Sequence, residues 1–316
     1  MPTAPHPFTL RQLQYVVAVA ERQSFRKAAE ECHVAQPSLS AQVAQVEEAL
    51  GVQLFERDTR GVALTAAGRA LIERARALLL ASDDLVESAR VLGDPFAGTL
   101  RIGLIPTIGP YLLPEVAPVL RERYPKLSFV WAEDKTATLV DQLARGELDA
   151  AIVALEANIG DLPRVVLGKD PFVFAAPKGH PLANGKRPLK AAELDGERVL
   201  FLDDGHCFRD QALAFCSRTG AEEAGYRATS LLTLVQMAAG GAGVTLLPSL
   251  ALGVENRHQE LSLRAFAPQA PFRTVALVWR RGAALEVTLK ALGETLKGAY
   301  AKLEVRLIHA TAARSR

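Results

Sequence analysis

The stretch SFRKAAEECHVAQPSLSAQVAQVEEALG, residues 24–51, reads as two short helices joined by a tight turn. Ser24 suits the N-cap of the first helix, and Ala28 and Ala29 are small enough to let helices pack closely. His33 and Val34 end that helix. Pro37 suits the first turn of the second, and Gly51 closes it. This is the pattern of a helix-turn-helix, whose second helix enters the DNA major groove by its N-terminal end. Gln36, Ser38, Ser40 and Gln42 are the polar side chains expected there, and so the candidate base and phosphate contacts. Ahead of them an amphipathic helix is expected from about Thr9 to Gln23, with Leu10, Leu13, Val17 and Ala20 on one face.

Charge does not advertise this activity. Residues 1–60 hold six Lys/Arg against seven Asp/Glu, no basic residue stands between positions 37 and 50, and the chain's net charge is only +2. Affinity for DNA would then lean on hydroxyls, helix N-terminal amides, a few arginines and the doubled contacts of a dimer, with a shallow salt dependence. At 316 residues the chain has room for two or three domains. No apolar run reaches the length of a membrane span, and residues 1–9 lack the pattern of a signal peptide. A cytoplasmic protein without membrane contact is expected, which excludes an exported solute-binding protein. In that reducing compartment a structural disulfide is not expected. No Cys/His cluster has zinc spacing, so neither a metal nor a cofactor is expected.

Downstream, Leu71, Ala75, Leu78, Ser82, Leu85, Ala89 and Leu92 alternate spacings of four and three along residues 66–92. Such a heptad seam on a lone helix implies a partner helix, and hence a homodimer. Gly93-Asp94-Pro95 marks a hinge. From residue 97 strands alternate with helices, which predicts an α/β domain with a mostly parallel sheet. Strands are expected at Leu100–Ile105, Leu127–Ala132 and Asp149–Leu155, then near Phe172–Ala176, Val199–Leu202, Tyr226–Ser230 and Val244–Leu247, and at Thr274–Trp279. The chain returns to its first lobe near Phe272 and Arg273, and a closing helix spans Glu286–Leu303, with frayed residues from Thr311. The expected organisation is a DNA-binding domain at 1–65, a linker helix at 66–93, and a two-lobed domain at 97–316. Lobe I takes 97–169 and 273–316, and lobe II takes 170–272. Ligands bind such sheets beyond the carboxyl ends of strands, where Pro106-Thr107 and Asp134-Lys135-Thr136 fall.

A second stretch, DGHCFRDQALAFC at 204–216, holds two of the three cysteines. Phe208, Ala212 and Phe215 recur at helical spacing. Nine residues of helix set the Cys207 and Cys216 Cα atoms about 13.5 Å apart and about 180° around the axis. A disulfide requires about 7 Å or less, so a bond and the helix are mutually exclusive. Two readings stand open at this point: a redox switch, or two unrelated buried cysteines. Under the first, Cys207 is the attacking thiolate, helped by the helix N-terminus and by His206 and Arg209, and Cys216 resolves. Cys32, inside the helix-turn-helix, reads as packing.

The chain resembles the LysR-type transcriptional regulators. Phe25-x-x-Ala28-Ala29, Gln36-Pro37-Ser38-Leu39-Ser40, Glu47-x-x-Leu50-Gly51-Val52-x-Leu54-Phe55-x-Arg57 and Leu64-Thr65-x-x-Gly68 carry the resemblance at the DNA-binding end. It implies a winged helix-turn-helix with Arg57 and Arg60 on or near the wing, a dimerising linker helix, and a periplasmic-binding-protein-like regulatory domain. The 204–216 stretch, Ile105-Pro106-Thr107-x-Gly109-Pro110-Tyr111-Leu112-Leu113-Pro114, Cys32-His33-Val34 and Gly243-Val244-Thr245-Leu246-Leu247-Pro248 are similar to the hydrogen-peroxide-sensing subgroup of that family. For this subgroup the resemblance implies a regulator of the oxidative-stress response. Peroxide would oxidise Cys207 to a sulfenic acid, and a Cys207–Cys216 disulfide would follow. Thr107, Thr136, His206 and Arg273 would line the peroxide pocket, the two threonines being otherwise candidates for helix capping. The implied partners are operator DNA, hydrogen peroxide, a homodimer assembling into a homotetramer, and RNA polymerase. Two rivals are a regulator of the same fold that senses a metabolite between its lobes, and a thiol peroxidase. The enzyme reading leaves residues 1–92 without a purpose, so no enzyme is expected.

Overall fold

The computed structural model describes residues 5–58, 61–185, 187–268 and 270–314, with side chains undescribed at 57–58 and 304–314. The chain divides into two compact units, residues 1–90 and 91–316.

The first unit begins with α1 (Leu10–Arg22), capped by reciprocal bonds between Thr9 and Gln12. Its buried positions are Leu13, Tyr15, Val16, Ala18 and Val19, whereas Leu10 is 48% exposed. The face expected through Leu10, Val17 and Ala20 is therefore rotated. Both α2 (Phe25–Glu31) and α3 (Gln36–Leu50) pack on α1, and they bury the denser apolar row through Val16 and Val19. Ser24 caps α2, Ala28 and Ala29 are buried, and His33 makes the turn at φ +53°. Glu47 reaches from the end of α3 to accept the amides of Leu54 (2.7 Å) and Phe55 (3.2 Å). That bond aims the antiparallel ribbon of β1 (Phe55–Asp58) and β2 (Gly61–Leu64), the wing.

Thr65 opens α4 (Ala66–Gly93), accepting the Gly68 amide at 2.8 Å and donating to the Gln53 carbonyl at 2.7 Å. The first seam positions are spent on this unit's own core, where Ala75 is buried and Leu71 packs, joined from beside the seam by buried Ile72 and by Leu79. Leu78, Leu85, Val86 and Leu92 are exposed, Leu92 at 88%. The heptad thus serves two masters in succession.

In the second unit, β3 (Gly98–Leu104), α5 (Gly109–Arg123), β4 (Leu127–Glu133), α6 (Thr136–Arg145) and β5 (Ala150–Ala154) build lobe I. β3 lies parallel to β4 and to β5. Then β6 (Arg164–Pro177) leaves for lobe II, starting well before the strand expected near Phe172. Lobe II contains β7 (Arg198–Leu202), α7 (Cys207–Cys216), β8 (Glu222–Ala228), α8 (Leu231–Ala239), β9 (Thr245–Pro248), α9 (Leu252–Glu255) and β10 (Leu261–Ala265). β8 ends before the Ser230 expected to close it, because Ser230 instead caps α8. β11 (Phe272–Val278) returns to lobe I, and α10 (Glu286–Arg314) closes it.

The long β6 is what makes the lobes one object. Its first half pairs antiparallel with β11, and its second half pairs antiparallel with β9 and β10. The parallel expectation fails at β6 and β11, because a strand that crosses out and a strand that crosses back run in opposite directions. The carboxyl ends of β3, β4 and β7 lead directly to Thr107, Thr136 and Cys207.

A Cβ built on Gly68 would lie 2.1 Å from the Leu54 carbonyl oxygen, which is backbone and cannot swing aside. Gly68→Ala should therefore destabilise the first unit by about 1–3 kcal/mol. Urea unfolding followed by circular dichroism checks this; an unchanged midpoint would mean that α4 shifts without cost.

Candidate functional site

Cys207 and Cys216 are the first and last residues of α7, and both are buried free thiols. The helix exists because Phe208, Ala212 and Phe215 all face inward, as their spacing predicts. Phe208 packs edge-on against Phe172 at 4.9 Å, and Phe215 against Phe266 at 5.1 Å. The intact helix holds the two sulfurs apart.

Arg273 sits at the centre of the ground in front of Cys207, fully buried on β11. Its Nη1 donates to the Thr107 hydroxyl at 2.6 Å and its Nη2 to the Thr107 carbonyl at 2.7 Å. Its Nε donates to Asp170 Oδ2 at 2.9 Å, from the residue paired with it across β6 and β11. Asp170 also accepts the Leu250 amide at 2.9 Å. Burial pushes the Asp170 carboxyl up, and Arg273 and the two lobe II amides of Leu250 and Ser249 pull it back. Asp170 was not anticipated, although a carboxylate beside the apolar run Phe172–Ala176 is the kind of signal that marks a buried pair.

Thr136 is the first residue of α6, but Lys135 is the N-cap, and Thr136 caps nothing. Its Oγ1 is buried with no aligned hydrogen bond among the described residues, yet it lies close enough to the Cys207 sulfur to draw that thiol's pKa down. Thr107 caps nothing either: Ile108 holds the N-cap of α5. The capping alternative therefore fails for both threonines, and both hydroxyls are turned to the site.

Two expectations about charge are corrected. Arg209 does not serve Cys207, because its guanidinium is held by Asp204 at 3.0 Å and Glu223 at 3.1 Å. His206 is buried, with Nε2 3.0 Å from Asp203 Oδ1 but out of hydrogen-bond alignment, and desolvation pushes its pKa down. It is thus disposed to be neutral. The cation that acts on Cys207 is Arg273. Nor does the helix N-terminus win: burial pushes the Cys207 thiol up, against Arg273, Thr136 and the Phe208 amide. Burial alone pushes Cys216 up to about 12. Of the two, only Cys207 has groups around it that favour a thiolate.

One turn on from Cys207, Gln211 has both amide atoms buried and without a partner among the described residues. Sequence reading passed over it as a polar helical residue.

At the other end of the chain, Gln36 and Ser38 are exposed on the first turn of α3, while Ser40 and Gln42 are half-buried. Leu39, Val43 and Val46 hold the opposite face of α3 in the core. Arg57 lies on β1 with its side chain outside the described residues, as is the whole of Arg60. Cys32 ends α2, half-buried among apolar neighbours, with its thiol pushed up by burial.

Residues 10–69 match the family model "bacterial regulatory helix-turn-helix protein, lysR family", and residues 93–301 match the LysR substrate binding domain. The chain belongs to the LysR family. Within it the regulator falls in the OxyR subgroup. A hydrogen peroxide-inducible genes activator of Dickeya chrysanthemi is 44% identical over 290 residues, 91% of this chain and 94% of that protein. Full-length OxyR of Pseudomonas aeruginosa, solved with a cysteine-to-aspartate substitution, superposes with a TM-score of 0.74 at 35% identity, covering 93% of this chain and 96% of that one. A Corynebacterium glutamicum OxyR cysteine-to-serine mutant, solved with hydrogen peroxide bound, gives a TM-score of 0.66 at 32% identity, covering 98% and 97%.

Raised thiol pKa values have a measurable consequence for the regulator. In a Cys32→Ser, Cys216→Ser background, alkylation of Cys207 by iodoacetamide should climb about tenfold per pH unit from pH 6 to beyond the ordinary cysteine value of about 8.5. A plateau below pH 7 would show a preformed thiolate and contradict the direction given.

Proposed function

We propose that this chain is a DNA-binding transcriptional activator of the oxidative-stress response that senses hydrogen peroxide through Cys207 and records it as a Cys207–Cys216 disulfide. The observation that carries the reading is a single helix with a cysteine at each end, the first of them facing a buried arginine and the buried Thr136 hydroxyl, which has no aligned hydrogen bond among the described residues. Peroxide needs just such a set: a sulfur nucleophile, and donors for the oxygen that leaves.

The Cys207 thiolate attacks one peroxide oxygen, the O–O bond breaks, and hydroxide leaves, taking a proton to become water. Thr136 and Thr107 are placed to donate to the oxygens, and Arg273 to balance the negative charge. His206, neutral beside Asp203, orients the turn that presents Cys207. The Cys207 sulfenic acid cannot reach Cys216 while α7 stands. Once α7 unwinds, the Cys216 sulfur attacks the Cys207 sulfur, the S–O bond breaks, and a second water leaves. Gln211 favours that unwinding, since each buried unpaired polar group costs about 1–3 kcal/mol in the helical state. The event happens once per signal, so nothing in the scheme calls for turnover.

The readout passes to DNA through the parts at the other end. Gln36, Ser38, Ser40 and Gln42 on α3 address the major groove, with Arg57 and Arg60 of the wing against phosphate or the minor groove. The proposed organisation is a DNA-binding domain at 1–65, a dimerising helix at 66–93, and the regulatory lobes at 97–316. The dimer is held by the exposed stripe of α4, a homotetramer is built from two dimers, and the complex acts on RNA polymerase from operator DNA in the cytoplasm.

Mass spectrometry of pre-reduced protein after brief exposure to stoichiometric peroxide tests the chemistry. A Cys207–Cys216 disulfide in the wild type and a trapped Cys207 sulfenic acid in Cys216→Ser are expected. If Cys207 remains a free thiol in excess peroxide, the reading fails and a metabolite between the lobes becomes the signal to seek. For assembly, Leu85→Glu should leave folding intact and shift the protein to smaller species in sedimentation velocity. No shift would place the dimer contact elsewhere than on α4.

A further inference from the structure

Lys135 touches both halves of the Cys207 site and has no part in the chemistry above. Its backbone is the N-cap of α6, with its carbonyl accepting the Leu139 amide at 3.1 Å, so it sets where Thr136 stands in lobe I. Its side chain crosses to lobe II. There Nζ donates to the Asp204 carbonyl at 2.7 Å and lies 3.6 Å from Asp203 Oδ2. The other oxygen of Asp203 faces His206. The ammonium therefore engages the turn that carries the chain from β7 into Cys207.

The turn is shaped to receive it. Gly205 has φ +88°, and a Cβ there would lie 3.0 Å from Lys135 Cδ and 3.2 Å from Nζ. The lysine stem lies across the face of Gly205 where any other residue would carry a side chain. Two constraints, the left-handed backbone and the covering lysine, thus select glycine at one position.

We infer that Lys135 is a positioning residue that straps the 203–206 turn of lobe II to α6 of lobe I. This rests on the sensing reading above. The strap has two opposite kinetic effects. It holds the Cys207 sulfur against Thr136, which speeds oxidation. It also holds the base of α7 in place, which slows departure of the Cys207 segment toward Cys216. A residue that merely stabilised the fold would not divide the two steps in this way.

Lys135→Met keeps the stem over Gly205 and removes the ammonium at a half-exposed position. Rapid-quench mass spectrometry in a Cys32→Ser background separates sulfenic acid formation from disulfide closure. The expected result is a first step slowed by about threefold to tenfold, the range for a charge-assisted bond partly open to water. Closure should be faster by a similar factor, and Lys135→Arg should restore both rates toward the wild type. Unchanged rates in both steps overturn the inference. So does a change of both in the same direction together with a lowered melting temperature, which is the signature of a general structural role. A wild type whose Cys207 is inert to peroxide overturns the sensing reading and this one with it. A reactive wild type matched in both steps by Lys135→Met overturns this one alone.

Discussion

The Arg273–Asp170 pair is the interaction on which the regulatory domain depends. It lies where β6 and β11 cross between the lobes, with both side chains out of contact with water. Two charges are tolerated there because each is fully occupied: the arginine by Thr107 of lobe I, the aspartate by the amide of Leu250 in lobe II. Leaving either one alone would cost about 3–5 kcal/mol, since an uncompensated charge would remain buried. The same arginine sets the field at Cys207. The joint between the lobes and the electrostatics of the thiol are therefore one structure, and a change at either is felt at the other.

The helix between the cysteines gives that site a memory. In the reduced state Phe208 and Phe215 are anchored by aromatic partners, and Cys216 is sealed in with its thiol protonated. Every contribution that holds α7 helical stabilises the dithiol against the disulfide. For a two-electron couple about 1.4 kcal/mol of such preference raises the reduction potential by about 30 mV. Helix packing and the amide of Gln211, buried without a partner among the described residues, pull in opposite directions on the stability of α7.

Much of this architecture is legible in residues 24–51 and 204–216. Capping by Ser24, the turn at His33, the stop at Gly51 and the inward face of α7 all follow from local rules, because they concern residues within a few positions of each other. The errors have a common source. The α1 face was misplaced because two other helices, not one, cover it. The α4 seam was read as one surface, whereas Leu71 and Ala75 pack in the first unit's own core and Leu85 and Leu92 are exposed. His206 and Arg209 were credited with the charge at Cys207 because they are its neighbours in sequence. Arg209 is in fact bound to Asp204 and Glu223, and the charge comes from Arg273, 66 positions downstream of Cys207.

The sequence by itself determined the family, the helix-turn-helix, the α/β regulatory domain and the incompatibility of a Cys207–Cys216 bond with a helix. Each is written in spacing, and spacing along a chain survives any arrangement of the rest. Only the tertiary structure decided which cation faces the thiol, that burial outweighs the helix N-terminus at Cys207, and that Lys135 reaches across to the turn at Gly205. Those outcomes are set by distance and by exclusion of water. Both come into being only when strands far apart in the chain, β3, β4, β7 and β11, bring their ends to one place.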